Sequence, residues 1–268
     1  MLFQILDDKN ECVGIYANGV IHYETIPNDL TGTWNYAPYL DGQSVEYASL
    51  YCPSNDPGAA CPDRLRDQWE DTSEKLKAFL RSFQEAKVDL NDNCFFDLTP
   101  ERFLLEYCEI KNKITQHVLK NYPKPKNYDF LLDLTKLLEK IKHQKLNLDL
   151  SMLDSGLASF QSRQWKKKLA STKPYINYNI FGTKTGRLTT KKGSFPILTL
   201  PKERRKTIKP SNDWLIELDF NSAELRTLLA LSGKDQPAED LHEWNAKHVY
   251  RGLIPRSEAK QRIFAWLY

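Results

Sequence analysis

Apolar and polar positions alternate with two different periods along the chain, and the change of period divides it. Near the N-terminus, Cys12-Val13-Gly14-Ile15-Tyr16 and Val20-Ile21-His22-Tyr23 flank Ala17-Asn18-Gly19. Asn-Gly is the favoured two-residue connection of a β-hairpin, so a hairpin is expected there. Residues 30–63 are rich in Gly, Pro, Asn, Asp and Tyr and read as loops with one strand, Val45 to Tyr51. From about residue 64 the period becomes helical, with Trp69, Leu76, Phe79, Leu80 and Phe83 on one stripe. A second helix is expected with Thr99 as N-cap and Pro100 at its first position, running through Phe103, Leu104, Tyr107, Ile114 and Val118 to the prolines at 123 and 125. A third, about 127–143, repeats Leu131, Leu134, Leu137, Leu138 and Ile141.

Late in the chain an apolar run with strand character, Leu215-Ile216-Glu217-Leu218, delivers a carboxylate at Asp219. Helical spacing follows at once, with Leu225, Leu228, Leu229 and Ser232 on one face and Gly233 suited to the C′ position. A strand-end carboxylate with Glu224 five residues on is a good place to hold a divalent cation, and equally an ordinary acid favoured by a helix dipole. A further helix from Glu239 carries His242 in its first turn. The last, opening at Pro255, spaces Arg256, Lys260, Phe264 and Tyr268 four apart. Such residues share a helix face, where two cations grip phosphates and two aromatic rings stack a base.

Composition, cysteine usage and charge alter this picture. No apolar run approaches the roughly 18–20 residues of a membrane span, and the N-terminus lacks the basic and apolar regions of a secretory signal. Five cysteines, odd in number and without a CxxC pair, are expected to be reduced core thiols in a cytoplasmic protein. Charge is distributed unevenly: residues 1–60 hold eight acids and one base, whereas residues 161–210 hold 14 bases and one acid. In the basic region Lys184, Thr185, Arg187, Lys191, Lys192, Arg204 and Arg205 interleave with Tyr175, Tyr178 and Phe181, as in a track for a phosphate backbone. The expected partner of this region is nucleic acid.

Taken in order, three groups of residues resemble the family A DNA polymerases, the bacterial polymerase I type, and especially their phage members. They are Thr185-Gly186-Arg187-Leu188; Asp219-Phe220-Asn221-Ser222-Ala223-Glu224-Leu225-Arg226 with Leu231-Ser232-Gly233; and Arg256, Lys260, Phe264 and Tyr268, supported by Asp240-Leu241-His242. The resemblance is close over about residues 175–268, and residues 95–170 fit a thumb by position and helix content. It implies an α+β fold: a small mixed region at 1–95, a helical thumb at 96–170, a partial palm with an antiparallel sheet at 171–235, and the start of the fingers helices at 236–268.

The resemblance also implies roles. Asp219 is similar to the first of two palm aspartates that hold two Mg²⁺ ions; Lys260, Arg256 and His242 neutralise the phosphates of the incoming dNTP. Phe264 packs on its base and sugar, and Glu224 with Tyr268 is similar to a steric gate against the 2′-OH. Arg187 lies on the primer-template DNA.

The sequence departs from the family in one decisive respect: no His-Asp pair, the motif of the second palm aspartate, occurs in it. One carboxylate does not hold two Mg²⁺ ions in catalytic geometry, so this chain alone is expected to be inactive, with a second polypeptide or further sequence supplying the rest. Phe220-Asn221-Ser222 and residues 195–201 also depart from the family pattern. His22-Tyr23-Glu24-Thr25 is faintly similar to a proofreading exonuclease motif that has lost its Asp. Two other readings stand beside the polymerase: a non-catalytic nucleic-acid-binding remnant, and part of a single-subunit RNA polymerase, against which Glu224 and Phe264 argue. The phage-like resemblance implies the cytoplasm of an infected bacterium.

Overall fold

Asn18 and Gly19 both adopt positive φ, 49° and 82°, and the hairpin they close is the one the Asn-Gly pair specifies. In the computed structural model, which describes residues 1–156, 159–184 and 186–267, strands β2 (Gly14–Ala17) and β3 (Val20–Tyr23) pair antiparallel across this turn. The other edge of β2 is taken by β1 (Phe3–Ile5), a strand too short to announce itself by alternation. The architecture is α+β, with more helix than strand. No helix among the described residues is long and apolar enough to cross a membrane.

The chain forms two compact units, Met1–Ser211 and Asn212–Tyr268. In the first, β4 (Gly32–Thr33) pairs in parallel with β5 (Glu46–Tyr47). The strand expected over 45–51 stops there and turns into a 3-10 helix, Ala48–Tyr51. Its backbone donors go elsewhere: the Tyr47 amide donates to the Tyr128 hydroxyl at 3.0 Å, and the Ser49 amide to the Trp34 carbonyl. Helices α1 (Asp63–Glu85), α2 (Glu101–Asn121) and α3 (Tyr128–His143) form where helical spacing predicts them, although Leu80 and Leu137 of the expected stripes are exposed. Thr99 does not cap α2; its hydroxyl donates to the Phe95 carbonyl, and Pro100 occupies the N-cap position.

The main core joins Phe3, Ile15, Trp34, Tyr47 and Leu50 to Ile110, Ile114 and Val118 of α2 and Leu131 of α3, and so runs across residue 95 without a break. Ile110, Ile114 and Val118 are fully buried, a contribution of about 1.5–3 kcal/mol each. Cys12 and Cys94 are joined by a disulfide with their Cα atoms 5.5 Å apart, whereas Cys52, Cys61 and Cys108 are free and buried. The expectation of five reduced thiols is corrected for this pair. Spacing along the chain carried no sign of it, because 82 residues separate Cys12, just before β2, from Cys94, at the start of the 3-10 turn Phe95–Leu98.

The basic stretch is built on its own core of Leu153, Leu169, Ile176, Phe195 and Leu200. Around it lie β6 (Asn147–Leu148), α4 (Phe160–Ser171), the pair β7 (Tyr178–Asn179) and β8 (Thr189–Thr190), and β9 (Ile208–Lys209), which pairs with β6. Ser159 caps α4 by accepting from the Ser162 amide at 3.1 Å. Gly182 is required where it stands: a Cβ would meet Thr189 Oγ1 at 1.7 Å.

In the second unit α5 (Ala223–Leu231) ends as predicted. Gly233 has φ +63°, its amide donates to the Ala230 carbonyl, and the Lys234 amide reaches back to Leu229. Helices α6 (Leu241–His248) and α7 (Arg256–Leu267) pack on each other. Among the described residues the run expected as a strand, Leu215–Leu218, takes part in no β-ladder, and Ile216 and Leu218 are 81% and 90% exposed. An apolar run becomes a strand only when a neighbour takes its N–H and C=O groups, so the sheet expected around Asp219 does not form within this unit.

Candidate functional site

Asp240 organises the second unit. Its carboxylate accepts from the His242 and Glu243 amides, both at 2.9 Å, which caps α6. The same carboxylate receives the Arg256 fork, Nε to Oδ1 at 3.1 Å and Nη2 to Oδ2 at 2.6 Å, and so ties the start of α6 to the first turn of α7. Arg256 is the chief cause that holds Asp240 down at about 2.

His242 is thereby fixed at the α6–α7 seam, 3% exposed, with no hydrogen-bond partner for Nδ1 among the described residues. Its ring centroid is 5.7 Å from that of Phe264. Burial is the largest influence on the imidazole and lowers its pKa; Asp240 and Glu224 act against this, Arg256 and Lys260 with it. A neutral imidazole near neutral pH results. Lys260 is exposed, its ammonium 5.9 Å from the Phe264 ring centroid. Glu224, Arg256, Lys260, Phe264 and His242 therefore form one neighbourhood on α5, α6 and α7. Arg256 is engaged by Asp240, and Lys260 presents the exposed ammonium.

Asp219 is exposed, four residues before α5, in the extended segment without a strand partner. Thr185 and Tyr268 lie outside the described residues. Asp219 is not one of the grouped carboxylates and imidazoles that could share a metal among the described residues; these are Asp8, Glu139 and His143, in the other unit. There the Lys142 ammonium already bridges Asp8 and Glu139.

One residue with a positioning role escaped the sequence reading. Arg226, on the first turn of α5, donates to the carbonyls of Asn221 at 2.8 Å, Pro237 at 3.0 Å and Glu239 at 3.1 Å. It clasps the segment after Asp219 to the loop before α6, next to Ser222 with its left-handed φ of 56°. An arginine amid polar helix positions carries no signal of this by itself.

In the first unit the basic residues come from several short elements assembled on the core of Leu169 and Phe195. Lys168 lies 4.6 Å and the Arg204 guanidinium 5.7 Å from the Trp165 ring, so α4 and the 3-10 turn Lys202–Thr207 stand side by side. Lys184, Arg187, Lys192 and Arg205 are exposed. Lys191 is exposed as well, and partial desolvation of its ammonium with the charge of Lys142 lowers its pKa. Compared with known protein families, with curated proteins and with solved structures, the chain matches none.

Proposed function

We propose that the chain is part of a template-directed DNA polymerase: the portion that grips primer-template DNA and receives the incoming dNTP, completed by a second palm carboxylate from outside this sequence. The observation that carries this reading is the convergence of Glu224, His242, Lys260 and Phe264 with the Asp240–Arg256 pair across three helices. Simple DNA binding needs none of these groups in one place. Lys260 would supply positive charge for a triphosphate, Phe264 an apolar face for a base, and Glu224 the bulky acid of a gate against a 2′-hydroxyl. The basic face around Trp165 supports binding of the DNA backbone. Asp219 contributes a single carboxylate, so the metal-dependent step belongs to the assembled enzyme and not to this chain alone.

The test is primer extension with the purified chain, Mg²⁺ and dNTPs, with and without the product of the downstream open reading frame. Extension that requires the second product, and that Asp219→Ala abolishes, is the expected result. Extension by this chain alone refutes the division of the palm. A second reading, binding without catalysis, draws on the exposed state of the Asp219 segment. Salt-dependent DNA binding with no extension in either mixture would favour it.

A further inference from the structure

A cavity of about 320 Å³ opens between β1, β4, α2 and the end of α3, within the first unit. Its chemistry is unlike that of the surrounding core. Gln4 and Thr33 are fully buried on its wall, yet Gln4 Oε1 and Thr33 Oγ1 have no hydrogen-bond partner among the described residues. Gln4 is not simply misplaced, because its amide nitrogen donates to Asn112 Oδ1 at 2.8 Å and Thr115 Oγ1 at 3.1 Å. Those bonds fix the side chain and leave its oxygen facing unmet demand.

Lys111 of α2 is also on the wall, 8% exposed, without a hydrogen bond or carboxylate partner among the described residues. Its ammonium rests over the rings of Trp34 and Tyr107, 5.0 and 5.1 Å from their centroids. Rings lower the cost of burying a cation but do not replace a counter-ion.

The charges around the cavity do not cancel. Asp7 is satisfied by Lys9, with both oxygens 2.8 Å from Nζ, and by the Phe95 amide. Asp8 is engaged by Lys142 and has His143 Nε2 at 3.4 Å. Lys111 is left over, and His143 adds a second positive charge when protonated. At roughly 30 Å³ for each water-sized group, the cavity holds about ten non-hydrogen atoms. That is a metabolite, not a segment of nucleic acid.

We propose that this cavity is a binding site for a small organic anion, with Lys111 as counter-ion to its carboxylate or phosphate and Gln4 Oε1 and Thr33 Oγ1 as partners of a hydroxyl or amino group on the same molecule. Donor and acceptor needs then match: the anion accepts from Lys111, its hydroxyl donates to Gln4, and Thr33 does either.

The experiment is calorimetry and thermal unfolding of the full chain with two probes, malate and glycerol 3-phosphate, against sodium chloride of equal ionic strength. Saturable binding of one probe is expected, with a rise of about 5–10 °C in the unfolding midpoint at a hundredfold excess over Kd. Which probe binds distinguishes a carboxylate site from a phosphate site. Lys111→Met, which replaces a buried cation with an apolar chain of similar length, should fold normally and bind at least tenfold more weakly. Thr33→Val should bind about three- to tenfold more weakly. With the unmutated chain, affinity should fall as pH rises from about 8 to about 9, where the desolvated Lys111 and then His143, held up by Asp8 and Glu139, lose their protons. Cys108 and Asp8 also act on Lys111, both raising its pKa. Failure of both probes to exceed the salt control, or undiminished binding by Lys111→Met, overturns the proposal.

Discussion

Replacing Asp240 with alanine removes two kinds of interaction at once, and their sizes are separable. Loss of the N-cap, with its bonds to the His242 and Glu243 amides, costs about 1 kcal/mol. The Arg256 pair is partly exposed, with side-chain accessibilities of 51% and 26%, and its loss adds about 0.5–1 kcal/mol after solvent screening. The sum, about 1.5–2 kcal/mol, is a large share of what a unit this small has available. Hydrogen exchange read by mass spectrometry on the intact chain reports the second unit separately. Each 1.4 kcal/mol is a factor of ten, so amide protection in α6 and α7 should fall about ten- to thirtyfold. Asp240→Asn keeps a good cap and loses only the charge, so its protection should fall two- to fivefold. Acid gives an independent arm. The folded pKa of about 2 is depressed from the ordinary 3.8, so the stabilisation is present above pH 4 and is lost as pH falls towards 2. Asp240→Ala should lack this acid step. Unchanged protection in Asp240→Ala, or equal damage from Ala and Asn, would refute the assignment of Asp240 as both cap and anchor.

Other consequences are open to measurement. His143, raised to about 9 chiefly by Asp8 and Glu139, stabilises the first unit fully below pH 6.5, and this is lost as pH climbs towards 9. Lys111, depressed to about 8, acts in the opposite sense above pH 8, so the slope assigned to His143 is read between pH 6.5 and 8; His143→Asn should flatten it in urea titrations. Gly19 has φ +82° with open space around it, so Gly19→Val should cost about 1–2 kcal/mol through backbone strain alone, and an unchanged denaturation midpoint would contradict that. Cys12→Ser opens a linkage of 82 residues and should cost about 2–4 kcal/mol under oxidising conditions and nothing after reduction of both proteins. DNA affinity should fall steeply with salt, and alanines at Lys166, Lys167 and Lys168 should reduce the log–log slope by about 2; affinity independent of salt would exclude the basic face as the contact.

Where periodicity was long or turn chemistry specific, the fold could be read from the residues. The Asn18-Gly19 hairpin, the helices at 63–85, 101–121 and 128–143, and the Gly233 stop are local decisions made by local sequence. What escaped detection depends on distant partners. The strand at 45–51 is cut short because Tyr128 takes the Tyr47 amide, and the Cys12–Cys94 bond depends on packing 82 residues apart. The run at Leu215–Leu218 has strand composition but joins no β-ladder among the described residues, and composition cannot supply a pairing strand. The common helix carrying Arg256, Lys260 and Phe264 was legible as a spacing of four residues. That Asp240 would occupy Arg256 was not, because a capping residue and a phosphate-gripping arginine each look complete alone.

The main core draws Phe3 and Ile15 together with Ile110, Ile114, Val118 and Leu131. A ribosome makes these residues in that order, at about 5–20 residues per second. The first 60 residues, with their hairpin and most of their apolar side chains, therefore wait several seconds before α2 and α3 exist to cover them. Throughout that interval β1, β2 and β3 have strand edges and no lid, which makes the nascent chain, more than the finished protein, the form that holdase chaperones should recognise.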